Sequence, residues 1–482
     1  MVFSSISFLF LFLPICLISY FLVPKRNVFL RKHILLFFSL IFYSAGEPLY
    51  VFLMMATVAV TFAFSYKIEK HSKTALTLSV FFILLPLIVF KYLNFIIDNL
   101  NIICGFNFPT IQLTMPIGIS FYTFQILTYV IDLYRGNVNR QKNAGYLALY
   151  IFLFPQLIAG PIVRYADIEK ALSTCRESKD KILEGAGRFV IGLAKKVLIA
   201  NQVGVIVSEI GGMPFAQVGT SMMWLSSVAF TIQIYFDFSG YSDMAIGLGK
   251  IFGFDFKENF NLPYISGSIS DFWKRWHISM STFFRDYVYI PMGGSRCHFA
   301  RWIFNVLTVW MITGLWHGAK WNFVMWGLYY AMLLMAEKLI VYIFNLKLKN
   351  IITTNFINIV RPFTYLITFV LTVIGWTLFM HDTNSFSQMI HYLQRLFSQA
   401  EVINPISVRA LGLQSYIPYL LLGFILSSPF VIVLRKIKEY AYPNWIIITS
   451  KIINDIFLII IFVLSVIFIV GENYNPFIYF RF

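Results

Sequence analysis

Two histidines carry the chemistry that this chain could do. His317 stands in Thr-Gly-Leu-Trp-His-Gly-Ala, residues 313–319, at the end of a long uncharged apolar run. His277 stands in Phe-Trp-Lys-Arg-Trp-His-Ile-Ser, residues 272–279. An ionisable side chain at membrane depth is costly and reads first as functional. Imidazole also exchanges protons near neutral pH. Gly314 and Gly318 bracket His317 and let backbone or ligand come close. Trp316 and Trp321 would exclude water, and burial favours the neutral ring, which can accept a proton from a hydroxyl. A histidine hydrogen-bonded at a membrane interface fits the same residues.

On a continuous helix Trp273, Trp276 and His277 share one face. Lys274 and Arg275 then fall to the other side, towards lipid headgroups or donor phosphates. Taken alone, the pattern fits an interfacial helix with an aromatic belt and snorkelling cations better. Asp237 and Asp243 lie among Ser239, Tyr241 and Ser242 and could orient histidines or bind a cation. Their spacing does not put them on one helix face, so no metal site is expected. Buried hydrogen bonding suits them better. Asn259, Asn261 and Tyr264, around Pro263, form another polar knot or a helix-capping turn. Arg285 and Asp286, about two helical turns beyond His277, could pair within the bundle. His33, His71, His298, His381 and His391 sit beside charged or polar loops and read as solvated.

Many apolar helices must carry these residues. Of 482 residues, 59% are hydrophobic and 12% charged, against roughly 25% charged in a soluble domain. Such a chain cannot cover itself in water, so it reads as an all-α polytopic membrane protein with about 11–12 transmembrane helices. The runs fall near 3–23, 34–46, 48–66, 75–97, 115–133, 144–163, 218–236, 302–319, 321–345, 363–380, 416–434 and 452–470. Pro155 and Gly160-Pro161 interrupt the sixth. Segment 185–208, with Arg188, Lys195 and Lys196, reads as an amphipathic interfacial helix. Region 237–300 reads as re-entrant or interfacial helices packed in the bundle. The stretch 98–114 reads as an outside loop. No linker divides the chain, so 1–482 is expected to form one integral-membrane domain, without a soluble one.

The net charge of +16 clusters between apolar runs. It reads as the positive-inside bias of cytoplasmic loops such as 25–33 and 134–143, with no basic face for nucleic acid. The uncharged stretch before Lys25 lacks the basic start of a cleavable signal, so it reads as a first span. Cys16, Cys104, Cys175 and Cys297 are scattered, which suggests neither zinc nor disulfides.

Ordered motifs along the chain resemble the membrane-bound O-acyltransferase (MBOAT) family, nearest its bacterial alginate and peptidoglycan O-acetyltransferase branch. They begin with Met-Pro-Ile-Gly-Ile-Ser-Phe-Tyr-Thr-Phe from Met115 and Phe-Pro-Gln-Leu-Ile-Ala-Gly-Pro-Ile from Phe154. Phe-Asp-Phe-Ser-Gly-Tyr-Ser-Asp-Met-Ala follows from Phe236, then Asn-Phe-Asn-Leu-Pro-Tyr from Asn259. The two histidine motifs, Phe-Arg-Asp-Tyr from Phe284 and the terminal Phe-Ile-Tyr-Phe-Arg-Phe complete the set. The core motifs span 115–330; the region 340–450 matches only loosely, before the terminal segment 451–482.

The resemblance implies a ring of helices around a thinned centre. There a cytoplasmic acyl donor, acetyl-CoA, meets an acceptor from the other side. It implies that His317 is catalytic, that His277 is its paired histidine, and that Trp273, Lys274, Arg275, Trp276 and Trp316 line the donor tunnel. It also implies the bacterial cytoplasmic membrane, with lipid around the protein, no tightly bound cofactor, and an extracytoplasmic SGNH-like acetyltransferase as partner. A D-alanyl transferase of the same family is the near alternative. A transporter or flippase is the alternative of another class, but it should show paired repeats and charged residues along several spans, and neither is visible.

Overall fold

The computed structural model describes residues 1–347, 354–381, 385–398, 408–433, 444–471 and 477–478. The described residues are helical, with no strand among them. In chain order the helices are α1 (Phe8–Leu22), α2 (Val28–Ser44), α3 (Tyr50–Glu69), α4 (Lys73–Cys104), α5 (Ile119–Tyr134), α6 (Ala144–Phe152) and α7 (Tyr165–Leu172). There follow α8 (Lys179–Gly211), α9 (Thr220–Ile251), α10 (Ile269–Arg275), α11 (Ile278–Phe284), α12 (Phe299–His317) and α13 (Trp321–Lys347). Last come α14 (Thr354–Met380), α15 (Phe386–Phe397), α16 (Leu413–Ser427) and α17 (Asn444–Gly471).

Local chemistry starts many of them. Asn27, Ser72, Asn143 and Ser268 cap α2, α4, α6 and α10 by accepting a backbone N–H of the first turn. Leu153 is non-helical and ends α6, Pro155 opens a one-turn helix, and Gly160 takes φ +107°. The sixth apolar run is therefore broken where its prolines and glycine predict.

Seven helices among the described residues are long and apolar enough to cross a membrane: α3, α4, α8, α12, α13, α14 and α17. Two shorter apolar helices are α1 and α16. The count among the described residues falls below the expected 11–12 because several runs make short helices. α5, for example, has 16 residues, most of them buried in protein.

Four readings of the sequence need correction. Segment 185–208 is no surface helix: it belongs to the 33-residue α8, one of the seven. Residues 237–251 are no separate re-entrant or interfacial helix: they continue α9. Both were obscured by charges that are paired. Lys196 meets Asp237 at 2.5 Å, both side chains 2% exposed. Arg188 meets Asp243 at 2.8 Å and Glu258 at 2.5 Å. Likewise α2 begins at Val28, inside the supposed loop 25–33, and buries Arg31 against Glu177. The stretch after Asp98 stays helical to Cys104.

The chain forms two compact units. The first comprises Met1–Leu193, Gly240–Glu258 and Ile461–Arg481. Its core is aromatic: Phe12 meets Phe154 at 5.4 Å, and Tyr241 stacks on Phe3 at 4.8 Å. The second comprises Ala194–Ser239 and Asn259–Ile460. It holds both histidine motifs.

Candidate active site

α12 and α13 form a hairpin whose backbones touch. A Cβ on Gly314 would lie 2.2 Å from the Phe323 carbonyl oxygen, and one on Gly327 would lie 2.2 Å from that of Trp310. Only glycine permits this approach. It fixes the end of α12, where His317 is the last helical residue and Gly318 turns extended. His317 is 3% exposed. Its ring packs against Trp316 (4.8 Å), Trp326 (5.0 Å) and Phe379 (5.2 Å).

His277 is not where a continuous helix would put it. α10 ends at Arg275, Trp276 is extended, and His277 takes φ +42°, ψ +55° before α11 starts. The shared helix face of Trp273, Trp276 and His277 is thus absent. A left-handed non-glycine residue is uncommon, and such strain clusters at functional sites. Asn259 holds it in place. The Asn259 backbone carbonyl accepts from Ile278 N (3.0 Å), and its Oδ1 accepts from Ser279 N (3.1 Å) and Ser279 Oγ (2.9 Å). His277 Nδ1 lies 3.1 Å from the same Oδ1. That contact makes Nδ1 the protonated nitrogen and leaves Nε2 as the basic one. His277 is fully buried, and burial pushes its pKa down to about 3, which keeps the ring neutral.

The two histidines meet one tryptophan. Trp316 lies 5.9 Å from the His277 ring and 4.8 Å from that of His317. Trp276 packs on Trp376 at 4.7 Å, and Trp273 on Trp310 at 4.7 Å. These tryptophans build an apolar wall, but Trp321, expected to help exclude water, is 42% exposed. Lys274 instead is exposed, and Arg275 pairs with Asp271 at 2.9 Å. Asn261 is tied by its backbone to Arg275, its N–H reaching the Arg275 carbonyl at 3.0 Å. Tyr264 donates to the Thr231 carbonyl at 2.6 Å.

Asp237 serves Lys196, while Asp243 and Tyr241 belong to the first unit. Arg285 and Asp286 do pair, at 2.7 Å, but the Arg285 side chain is 59% exposed. The pair is therefore a surface one, worth about 0–1 kcal/mol. Among the described residues no group of three or more His, Cys, Asp or Glu could hold a metal. His381, read as solvated, instead stacks on Tyr392 at 3.6 Å, and burial lowers its pKa to about 4. Of the terminal motif only Phe477 and Ile478 lie within the described residues.

Sequence reasoning missed Trp326, Trp376 and Phe379 as walls. It also missed Asn322, fully buried at the start of α13, whose amide atoms find no partner among the described residues. A buried amide of that kind is the one signal that polarity in an apolar run could have given.

Removing the acceptor that orients His277 has a measurable cost. Asn259→Leu should lower stability by about 1–3 kcal/mol, since it strands buried donors. Asn259→Asp, which keeps the acceptor oxygen, should preserve more acyl transfer than Asn259→Leu. Thermal unfolding in detergent together with transfer assays checks both; equal loss in the two variants would argue against the orienting role.

A helical membrane chain with two buried histidines on one tryptophan suits acyl transfer to a hydroxyl, and the sequence comparisons identify the class. The profile of the MBOAT, membrane-bound O-acyltransferase, family matches residues 140–381. A probable alginate O-acetylase of Azotobacter vinelandii is 40% identical over 79% of this chain and 75% of its own length. One from Pseudomonas aeruginosa is 33% identical over the whole of both chains. The peptidoglycan O-acetyltransferase of Helicobacter pylori is 33% identical over 75% of this chain and 76% of its own length. The chain belongs to the membrane-bound O-acyltransferase family. It is a multi-pass membrane O-acyltransferase, and the relatives named are O-acetyltransferases of alginate and peptidoglycan.

Proposed function

We propose that this enzyme carries acetyl groups from acetyl-CoA across the bacterial cytoplasmic membrane towards a cell-surface polysaccharide. The observation that supports it best is the pair of buried histidines, His317 and His277, packed on Trp316 inside the segment matched by the family. His317 takes the proton of an acceptor hydroxyl as the oxygen attacks the thioester carbonyl. The C–O bond forms, the C–S bond breaks, and the proton passes to the departing thiolate. His277, held neutral, steadies the site through its contact with Trp316. The tryptophan wall keeps water from hydrolysing the thioester.

The acceptor at this site is a hydroxyl delivered by a separate extracytoplasmic SGNH-like transferase. A long polymer needs a polar cleft with many hydrogen bonds for its hydroxyls to be selected. The surroundings of His317 are aromatic and buried instead. Purified enzyme in detergent, given labelled acetyl-CoA and polymer, should acetylate the polymer poorly until the partner is added. Efficient acetylation without the partner would refute the relay. Transfer from another acyl thioester, with none from acetyl-CoA, would refute the donor.

A further inference from the structure

The second unit contains a groove of about 510 Å³ that neither histidine lines. One wall is a stripe of α12 that includes Trp302, Val309 and Thr313; α13 supplies a second, and the stretch 270–295 a third. From Trp302 to Thr313 the helix rises about 16 Å. That is close to one leaflet of a bilayer whose hydrocarbon core is about 30 Å thick. The walls are largely apolar, and charge gathers at the end nearest Trp302. There the Lys338 ammonium sits 3.8 Å from the centre of the Trp302 ring. Glu337 accepts the Ser270 N–H at 3.0 Å, and Arg285 reaches the groove from a largely exposed position.

We infer that this groove holds one acyl chain of a membrane phospholipid, with the lipid phosphate at Arg285 and Lys338 and a primary ammonium at Glu337. The charge pattern selects this occupant. Arg285 and Lys338 are balanced by Glu337 and by Asp286, the partner of Arg285. A zwitterionic headgroup complements both signs. A purely anionic headgroup leaves Glu337 facing phosphate. A pantetheine-like arm would carry its amides along a largely apolar wall, where each one not met by a hydroxyl such as that of Ser281 or Ser295 is costly to bury. A hydrocarbon chain loses nothing there and gains about 0.8 kcal/mol per buried methylene relative to water.

The occupant also bears on the site. Trp273 lines the groove and packs 5.6 Å from Trp326, whose ring lies 5.0 Å from His317. A chain seated in the groove therefore buttresses the aromatic wall behind the histidine.

The probe is phosphatidylethanolamine with a brominated acyl chain, titrated into the purified full-length enzyme in mild detergent. Bromine quenches tryptophan at short range, and Trp273, Trp302 and Trp310 all line the groove. Quenching should saturate at one lipid per protein. Phosphatidylglycerol with the same chain should bind at least ten-fold more weakly. Val309→Phe, which fills the groove, should abolish the saturable component, and Glu337→Gln should erase the headgroup preference. Quenching that never saturates, or that is unchanged in both variants, would overturn the proposal. Displacement of the brominated lipid by acetyl-CoA, one for one, would assign the groove to the donor and overturn it as well.

Discussion

Replacing His317 with alanine should lower acetyl transfer by about 10²–10⁴-fold, the usual worth of a positioned general base, while the protein still accumulates in the membrane. The side chain lies at the end of α12, and its loss removes a ring from an aromatic wall without touching the glycine contacts that hold the hairpin. His298→Ala is the control: that residue is exposed at the opposite end of the same helix. His277→Ala should also impair transfer, by less, because its ring shapes the site through Trp316. Surface O-acetylation measured against protein level separates the outcomes. Normal acetylation in both His317→Ala and His277→Ala would remove the catalytic assignment.

The second large effect concerns a group away from the histidines. Lys196→Ala leaves Asp237 buried without its cation, and breaking a buried pair from one side costs about 3–5 kcal/mol. α8 and α9 are joined there by a contact of 2.5 Å between side chains 2% exposed. The expected result is a sharp fall in thermal stability in detergent. The double variant Lys196→Met, Asp237→Leu should recover most of the loss, since apolar replacements of a buried pair are often neutral or stabilising. A single variant as stable as the parent would mean that the pair contributes nothing.

Much of the architecture was legible because apolar runs and turn residues act locally. The break at Pro155 and the adjacent runs 302–319 and 321–345 that form the hairpin carrying His317 follow from short stretches of chain. What was hidden depends on pairing between distant segments. Arg188, Lys196, Asp237 and Asp243 read as breaks in hydropathy until their partners are known; paired, they let α8 and α9 run on. The site divides the same way. His317 stood out by composition. The left-handed turn at His277 did not, because Asn259, which stabilises it, lies on a separate strand of chain. Nor did Phe379, which reaches His317 from α14.

Backbones that meet at Gly314 and Gly327 leave the hairpin no slack. Side chains at a helix contact can exchange rotamers and let one helix slip past the other; a contact without side chains can only hold or part. His317 ends a helix of that locked pair, so on the proposed function it would be the stationary side of the site. On the proposed function, an opening that admits the donor would fall to the Trp376 and Phe379 face of α14, where large rings can turn without separating two backbones.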